Sequence, residues 1–181
     1  MKELSLNILD VAKNSVVAGA KRIEISLVTD SDGMLTLKIS DDGCGMSEET
    51  VRNVTDPFYT TRTTRRVGLG LPLLKLAAEQ TGGSLNICSS RRSEDHGTTV
   101  TATFDTGSID FTPVGDIIST VCILIAGSPE IDFVFSDVSE TRRVELNTAD
   151  VRAVLGEDIS LAEPEIQTWL GEYLREQYEQ Q

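Results

Sequence analysis

The feature that most limits what this chain can become is the run Asp41-Asp42-Gly43-Cys44-Gly45-Met46, which follows directly on an alternating segment. Leu35, Leu37 and Ile39 alternate with polar neighbours, as in a strand with one buried face. The two glycines permit positive φ and let backbone approach a ligand closely. A carboxylate just before them can accept a hydrogen bond from an exocyclic amine such as that of adenine. By itself the run is a weak signal, since short Asp/Gly runs are more often ordinary turns, so its neighbours have to decide.

Residues 3–18 carry Leu4, Ile8, Val11, Ala12 and Ser15 at helical spacing, and Gly19 stops the helix. Asp10 and Asn14 lie one turn apart on one face of it, beside the apolar stripe. Ile23, Ile25 and Leu27 form the first strand, and the turn from Asp30 to Gly33 joins it to the second. Ser47-Glu48-Glu49 starts a short helix, which Asp56-Pro57 interrupts. Residues 56–67 are rich in threonine and arginine and read as a mobile loop. A helix follows over 69–80, closed by Gly82-Gly83, then strands around 85–88 and 100–104. Beyond residue 107, a helix is expected to start at Thr112-Pro113 and run to about Ile125. Strands are expected around Ile131–Phe135 and Val144–Leu146, and helices over 148–155 and 164–178.

Three further elements bear on chemistry. Gly68-Leu69-Gly70-Leu71 opens a helix, where free N–H groups and the positive dipole end suit phosphate; a lid hinge without ligand would look the same. No Gly-Lys-Ser/Thr follows, so this is no Walker loop. Asn14 could offer its side-chain oxygen to magnesium, and Asp10 could orient or deprotonate a water or hydroxyl. The bland alternative for that pair is a solvated polar face. Arg62, Arg65 and Arg66 form a local basic cluster able to neutralise a triphosphate or to meet an acidic partner.

Charge narrows the partners. The formal net charge of -13 would repel a continuous phosphate backbone, which argues against general nucleic-acid binding. No apolar run approaches membrane-spanning length, and Met1-Lys2-Glu3-Leu4 lacks the apolar core of a signal peptide. Cys44, Cys88 and Cys122 have neither metal-site nor disulfide spacing, so a reducing, cytoplasmic compartment is expected.

In order and spacing, these elements resemble the GHKL ATPase superfamily of gyrase, the large heat-shock chaperones, sensor histidine kinases and MutL. Leu9-Asp10-Val11-Ala12-Lys13-Asn14-Ser15 with Ala18-Gly19-Ala20 is similar to the N box, and Asp41 to Met46 to the first glycine box. Pro57-Phe58-Tyr59-Thr60-Thr61-Arg62 resembles the histidine-kinase F box, with arginine where lysine is common. Gly68 to Leu71 resembles the second glycine box, and Gly97-Thr98-Thr99-Val100 the final Gly-Thr motif. The resemblance covers roughly residues 4–105.

It implies an α+β fold: a two-layer, Bergerat-type α/β sandwich with helices on one face of a mixed sheet. The ATP-binding domain would span 1–107, and 108–181 would form a small α/β extension of unassigned role. Asp41 would contact the adenine amine, with Thr98 supporting through water, and Gly43, Gly45 and Met46 would shape the adenine pocket. Gly68, Leu69, Gly70 and Leu71 would meet the phosphates, with Thr60, Thr61 and Arg62 in the lid. Asn14 would hold Mg2+, and Asp10 would be the catalytic carboxylate. Asp42 stands where many relatives have asparagine, a change expected to be tolerable on the solvent side. Asp10 stands where hydrolytic members have glutamate; the shorter side chain puts hydrolysis in doubt more than binding.

Three uses of ATP follow. One is a kinase-type module without its own phosphoacceptor that acts on a protein partner; His96 is the sole histidine and is expected in a polar loop, Ser93 to Gly97, and no room for an acceptor-bearing helix pair is expected before residue 4. Another is a MutL-like hydrolysing switch, which is compatible with a homodimer. The third is a nucleotide-sensing module with negligible turnover. On the last helix, Ile166, Trp169, Leu170, Tyr173 and Leu174 are expected to pack on their own domain.

Overall fold

The computed structural model describes residues 3–56, 58, 69–156 and 158–180. Alternation dictates its layers. In β1 (Arg22–Thr29) and β2 (Met34–Asp41), Ile23, Ile25, Leu27, Leu35, Leu37 and Ile39 are buried, and the intervening side chains face outward. β4 (Asp95–Asp105) buries Val100, Ala102 and Phe104 in the same way, beside β3 (Leu85–Arg92). β5 (Asp132–Val138) and β6 (Arg143–Asn147) complete a six-stranded mixed sheet of order β3-β4-β2-β1-β5-β6. Every pairing is antiparallel except β1 with β5, where Ile23 lies opposite Phe133 and Ile25 opposite Phe135.

The buried side of the sheet meets α1 (Leu4–Val17), α3 (Gly70–Gln80), α4 (Ile117–Gly127) and α6 (Pro164–Glu179). α1 lies between α3 and α4, and α6 packs on α4. Leu4, Ile8, Leu74, Ile125, Leu170 and Leu174 are fully buried. Truncating one of these to alanine would cost about 2–5 kcal/mol. The α+β class and its mixed sheet agree with the expectation from sequence. The short helices α2 (Glu48–Asn53), capped by Ser47, and α5 (Thr148–Leu155), capped by Asn147, fall where expected.

Two expectations need correction. No helix starts at Thr112-Pro113; α4 begins at Ile117, where the Asp116 carboxylate accepts from the Ser119 N–H at 3.0 Å. The extended stretch before it has a different task. The carbonyls of Pro113 and Val114 accept the N–H groups of Leu4 and Ser5 at 2.9 and 2.8 Å, satisfying donors at the start of α1 that no side chain caps. The segment Ser93 to Gly97 is not a loop throughout: β3 and β4 pair as far as Arg92 and Asp95, so His96 sits in a strand opposite Arg91. A polar tip from Ser93 to His96 and the glycine at 97 hid that longer hairpin.

Candidate functional site

α1 ends beside the tip of β2, and their meeting fixes Asp41. Its Oδ2 accepts from the Ser15 hydroxyl at 2.5 Å and its Oδ1 from the Gly43 N–H at 2.9 Å. An ionised carboxylate has about four lone-pair directions, so capacity remains for another donor. Thr98 on β4 lies directly across from Asp41. The loop after Asp41 is drawn against α1 as well, because the Cys44 N–H donates to the Ala18 carbonyl at 2.9 Å.

Close backbone approach explains two glycines. Gly45 has φ +69°, and a Cβ there would fall 1.8 Å from the Ser90 carbonyl oxygen. Gly97 has φ +137°, and a Cβ there would fall 2.1 Å from the Asp41 carbonyl oxygen. No other residue type lets β3 and β4 reach the loop so closely. Met46 follows, its N–H donating to the Ser89 hydroxyl at 2.8 Å.

On the other flank α3 begins at Gly70 without a side-chain cap. A Cβ on Gly70 would stand 3.2 Å from the Asp10 Cβ, so the helix start rests against Asp10 on α1. Asn14 lies one turn further along α1, half-buried. Leu69, Gly70 and Leu71 thus sit beside Asp10 at the head of α3, and its leading N–H groups offer a positive end for an anion. Thr60, Thr61, Arg62, Arg65, Arg66 and Gly68 lie outside the described residues.

Asp10, Asn14, Asp41, Gly43, Gly45, Met46, Leu69, Gly70, Leu71 and Thr98 therefore gather where α1, α3 and the ends of β2 and β4 converge. The arrangement has a carboxylate with spare acceptor capacity at one end and a helix N-terminus at the other, with Asp10 and Asn14 on α1. Among the described residues no group of three or more histidine, cysteine or acidic side chains could hold a metal.

Some residues were missed or misplaced by the sequence. Ser15 looked like part of the apolar stripe, yet its hydroxyl is the partner of Asp41. Ser89 had no motif, and its hydroxyl meets Met46, the Gly97 carbonyl and the Thr98 hydroxyl. Asp42 is exposed, on the solvent side as expected, but its Oδ1 also accepts the N–H groups of Lys21 and Arg22 at 2.8 and 2.9 Å, pinning the entry to β1.

The family described as histidine kinase-, DNA gyrase B- and HSP90-like ATPase matches residues 1–108. The signal transduction histidine-protein kinase AtoS of Escherichia coli (strain K12) is 33% identical over 89 residues, which are 49% of this chain and 14% of that protein. The sensor histidine kinase CpxA of the same strain is 34% identical over 87 residues, 42% of this chain and 19% of that protein. The chain thus spans less than a fifth of the length of these relatives. Two solved structures share the fold at 14% identity. One is the N-terminal domain of a DNA repair protein, at TM-score 0.57 over 81% of this chain and 52% of that one. The other is the Aquifex aeolicus MutL ATPase domain complexed with ADP, at TM-score 0.54 over 86% of this chain and 69% of that one.

Proposed function

The chain belongs to the family of histidine kinase-, DNA gyrase B- and HSP90-like ATPases, and from that premise we propose that it binds Mg-ATP and acts as a regulatory, kinase-type module on a partner protein. Its ATPase domain is similar to the catalytic domains of histidine kinases. The observation that carries the proposal is the placement of Asp41. Its carboxylate is held by Ser15 and Gly43 with acceptor capacity left over, and the head of α3 lies across the same side of α1.

In this proposal Asp41 accepts the adenine amine and Thr98 supports the contact through water. Gly43, Gly45 and Met46 shape the adenine pocket. Leu69, Gly70 and Leu71 present N–H groups to the phosphates, joined by Gly68 and by Thr60, Thr61 and Arg62 of the lid. Asn14 holds the magnesium ion, which neutralises phosphate charge. Asp10 takes the proton of the attacking hydroxyl while the γ-phosphoryl group passes to that oxygen and ADP leaves. An aspartate here has a shorter reach than glutamate, which favours transfer to a protein hydroxyl over attack by water. In this reading the acceptor hydroxyl lies on the partner, and the single histidine sits on the β3–β4 hairpin with its Nδ1 at the Gly43 carbonyl. Free thiols at exposed Cys44 and Cys88 favour the cytoplasm. No helix among the described residues is long and apolar enough to cross a membrane.

Incubation with γ-labelled ATP, in a lysate and alone, tests the proposal. Label on a co-purifying protein, lost in Asp10→Ala while ATP binding persists, is the expected result. Free phosphate as the dominant product would favour a hydrolysing switch, and neither product would favour a nucleotide sensor.

A further inference from the structure

The β3–β4 hairpin grips the first glycine loop at two points far away in sequence. His96 Nδ1 lies 2.9 Å from the carbonyl oxygen of Gly43. A carbonyl can only accept, so Nδ1 carries the proton and donates in either charge state of the ring. The second grip is the Ser89 hydroxyl, which accepts from the Met46 N–H at 2.8 Å and is itself anchored to the Gly97 carbonyl at 2.9 Å and the Thr98 hydroxyl at 2.8 Å. Gly43 and Met46 bracket the loop. Gly97, stacked against the Asp41 carbonyl, brings both grips within range.

We propose that His96, assisted by Ser89, is a positioning residue that holds the Gly43–Met46 loop in its ligand-ready shape, so that nucleotide binding does not have to order it. The proposal rests on the ATP reading above. His96 is exposed on the hairpin rather than part of the core, so its loss leaves the fold standing and loosens the loop alone. Ordering the loop then falls to the ligand, and affinity drops.

The test compares ATP affinity by calorimetry, and amide exchange of residues 42–46 without nucleotide, in the wild-type chain, His96→Ala and His96→Asn. The asparagine amide places an N–H at nearly the same distance from the backbone as Nδ1. His96→Ala is expected to bind ATP about three- to tenfold more weakly, the scale of one hydrogen bond. Its loop should exchange faster at an unchanged melting temperature, and His96→Asn should restore both readouts. Ser89→Ala is expected to weaken binding in the same direction. Equal affinity and exchange in wild type and His96→Ala would overturn the positioning role while leaving ATP binding intact. Equal losses in the alanine and asparagine variants would overturn it too, because the donor would not be what matters. No binding by the wild-type chain would remove the ATP reading and the positioning role together.

Discussion

Gly97 shows how much of the site depends on single atoms. Its φ of +137° and its contact with the Asp41 carbonyl leave no space for a side chain. Gly97→Ala should destabilise the chain by more than about 1 kcal/mol, since the backbone must shift as well as strain. The shift falls on the strand pair that carries Asp41 and Thr98, so nucleotide binding should fall further than stability alone accounts for. Thermal melts with and without ATP would check this; a variant with wild-type melting and a wild-type ATP shift would show that the close approach does not matter. At this scale the sequence was partly legible. Asp41, Gly45 and Gly97 stand in motifs whose chemistry can be named from residue type. Ser15, Ser89 and Asp42 could not be found this way, because a lone serine or aspartate has no local pattern and its partner is chosen by the fold.

Elements were legible wherever burial is one-sided. α1, α3, β1 and β2 advertise their periods, and their ends fall within a residue or two of expectation, whereas β3, β4 and β5 each run three to five residues beyond it at one end. The start of α4 was not, because Pro113 is a good first helical residue whose carbonyl is instead taken by α1. α6 is fixed by a polar cluster that no periodicity reveals. The Tyr178 hydroxyl donates to buried Asp137 at 2.7 Å, Arg142 pairs with the other oxygen at 2.9 Å, and Gln177 bonds the N–H and carbonyl of Glu145 on edge strand β6. Burial first, and the Asp137 carboxylate second, push the Tyr178 hydroxyl well above the ordinary tyrosine range. The raised value means that the folded state keeps its proton when the unfolded chain gives it up. Stability from this group is therefore complete below about pH 10 and is lost as pH rises past it. Tyr178→Phe should cost about 1–3 kcal/mol at pH 7, by removing a donor from a carboxylate. The gap to wild type should narrow above pH 10, in urea melts taken across pH. A gap constant with pH would place the effect in packing alone.

For the whole molecule, the decisive pairing is β5 alongside β1, a parallel contact between residues more than a hundred apart in sequence. Nothing local encodes it, so residues 108–181 could be read only as an extension. In the structure they share the core of the first half: α4 packs on α1, and Phe133 and Phe135 lie beside Ile23 and Ile25. Removing residues 108–181 should expose β1 as an edge and strip Leu4 and Ser5 of their acceptors. The shortened chain should lose cooperative unfolding and aggregate in size-exclusion runs; a monomeric, cooperatively melting 1–107 fragment would contradict this. The acids crowd that same half, where Arg142, Arg143, Arg152 and Arg175 are the only basic residues. The ATP-binding half is closer to neutral, which suits a site for a polyanion.

The central claim is that Asp41 holds adenine through its carboxylate. Calorimetric titration of ATP into the wild-type chain and Asp41→Asn tests it most directly. Asparagine keeps the shape and can still meet Ser15 and Gly43, so melting without nucleotide should change little, while affinity should fall roughly ten- to a hundredfold, the scale of a hydrogen bond to a charged group. Equal affinities in the two chains would contradict the account.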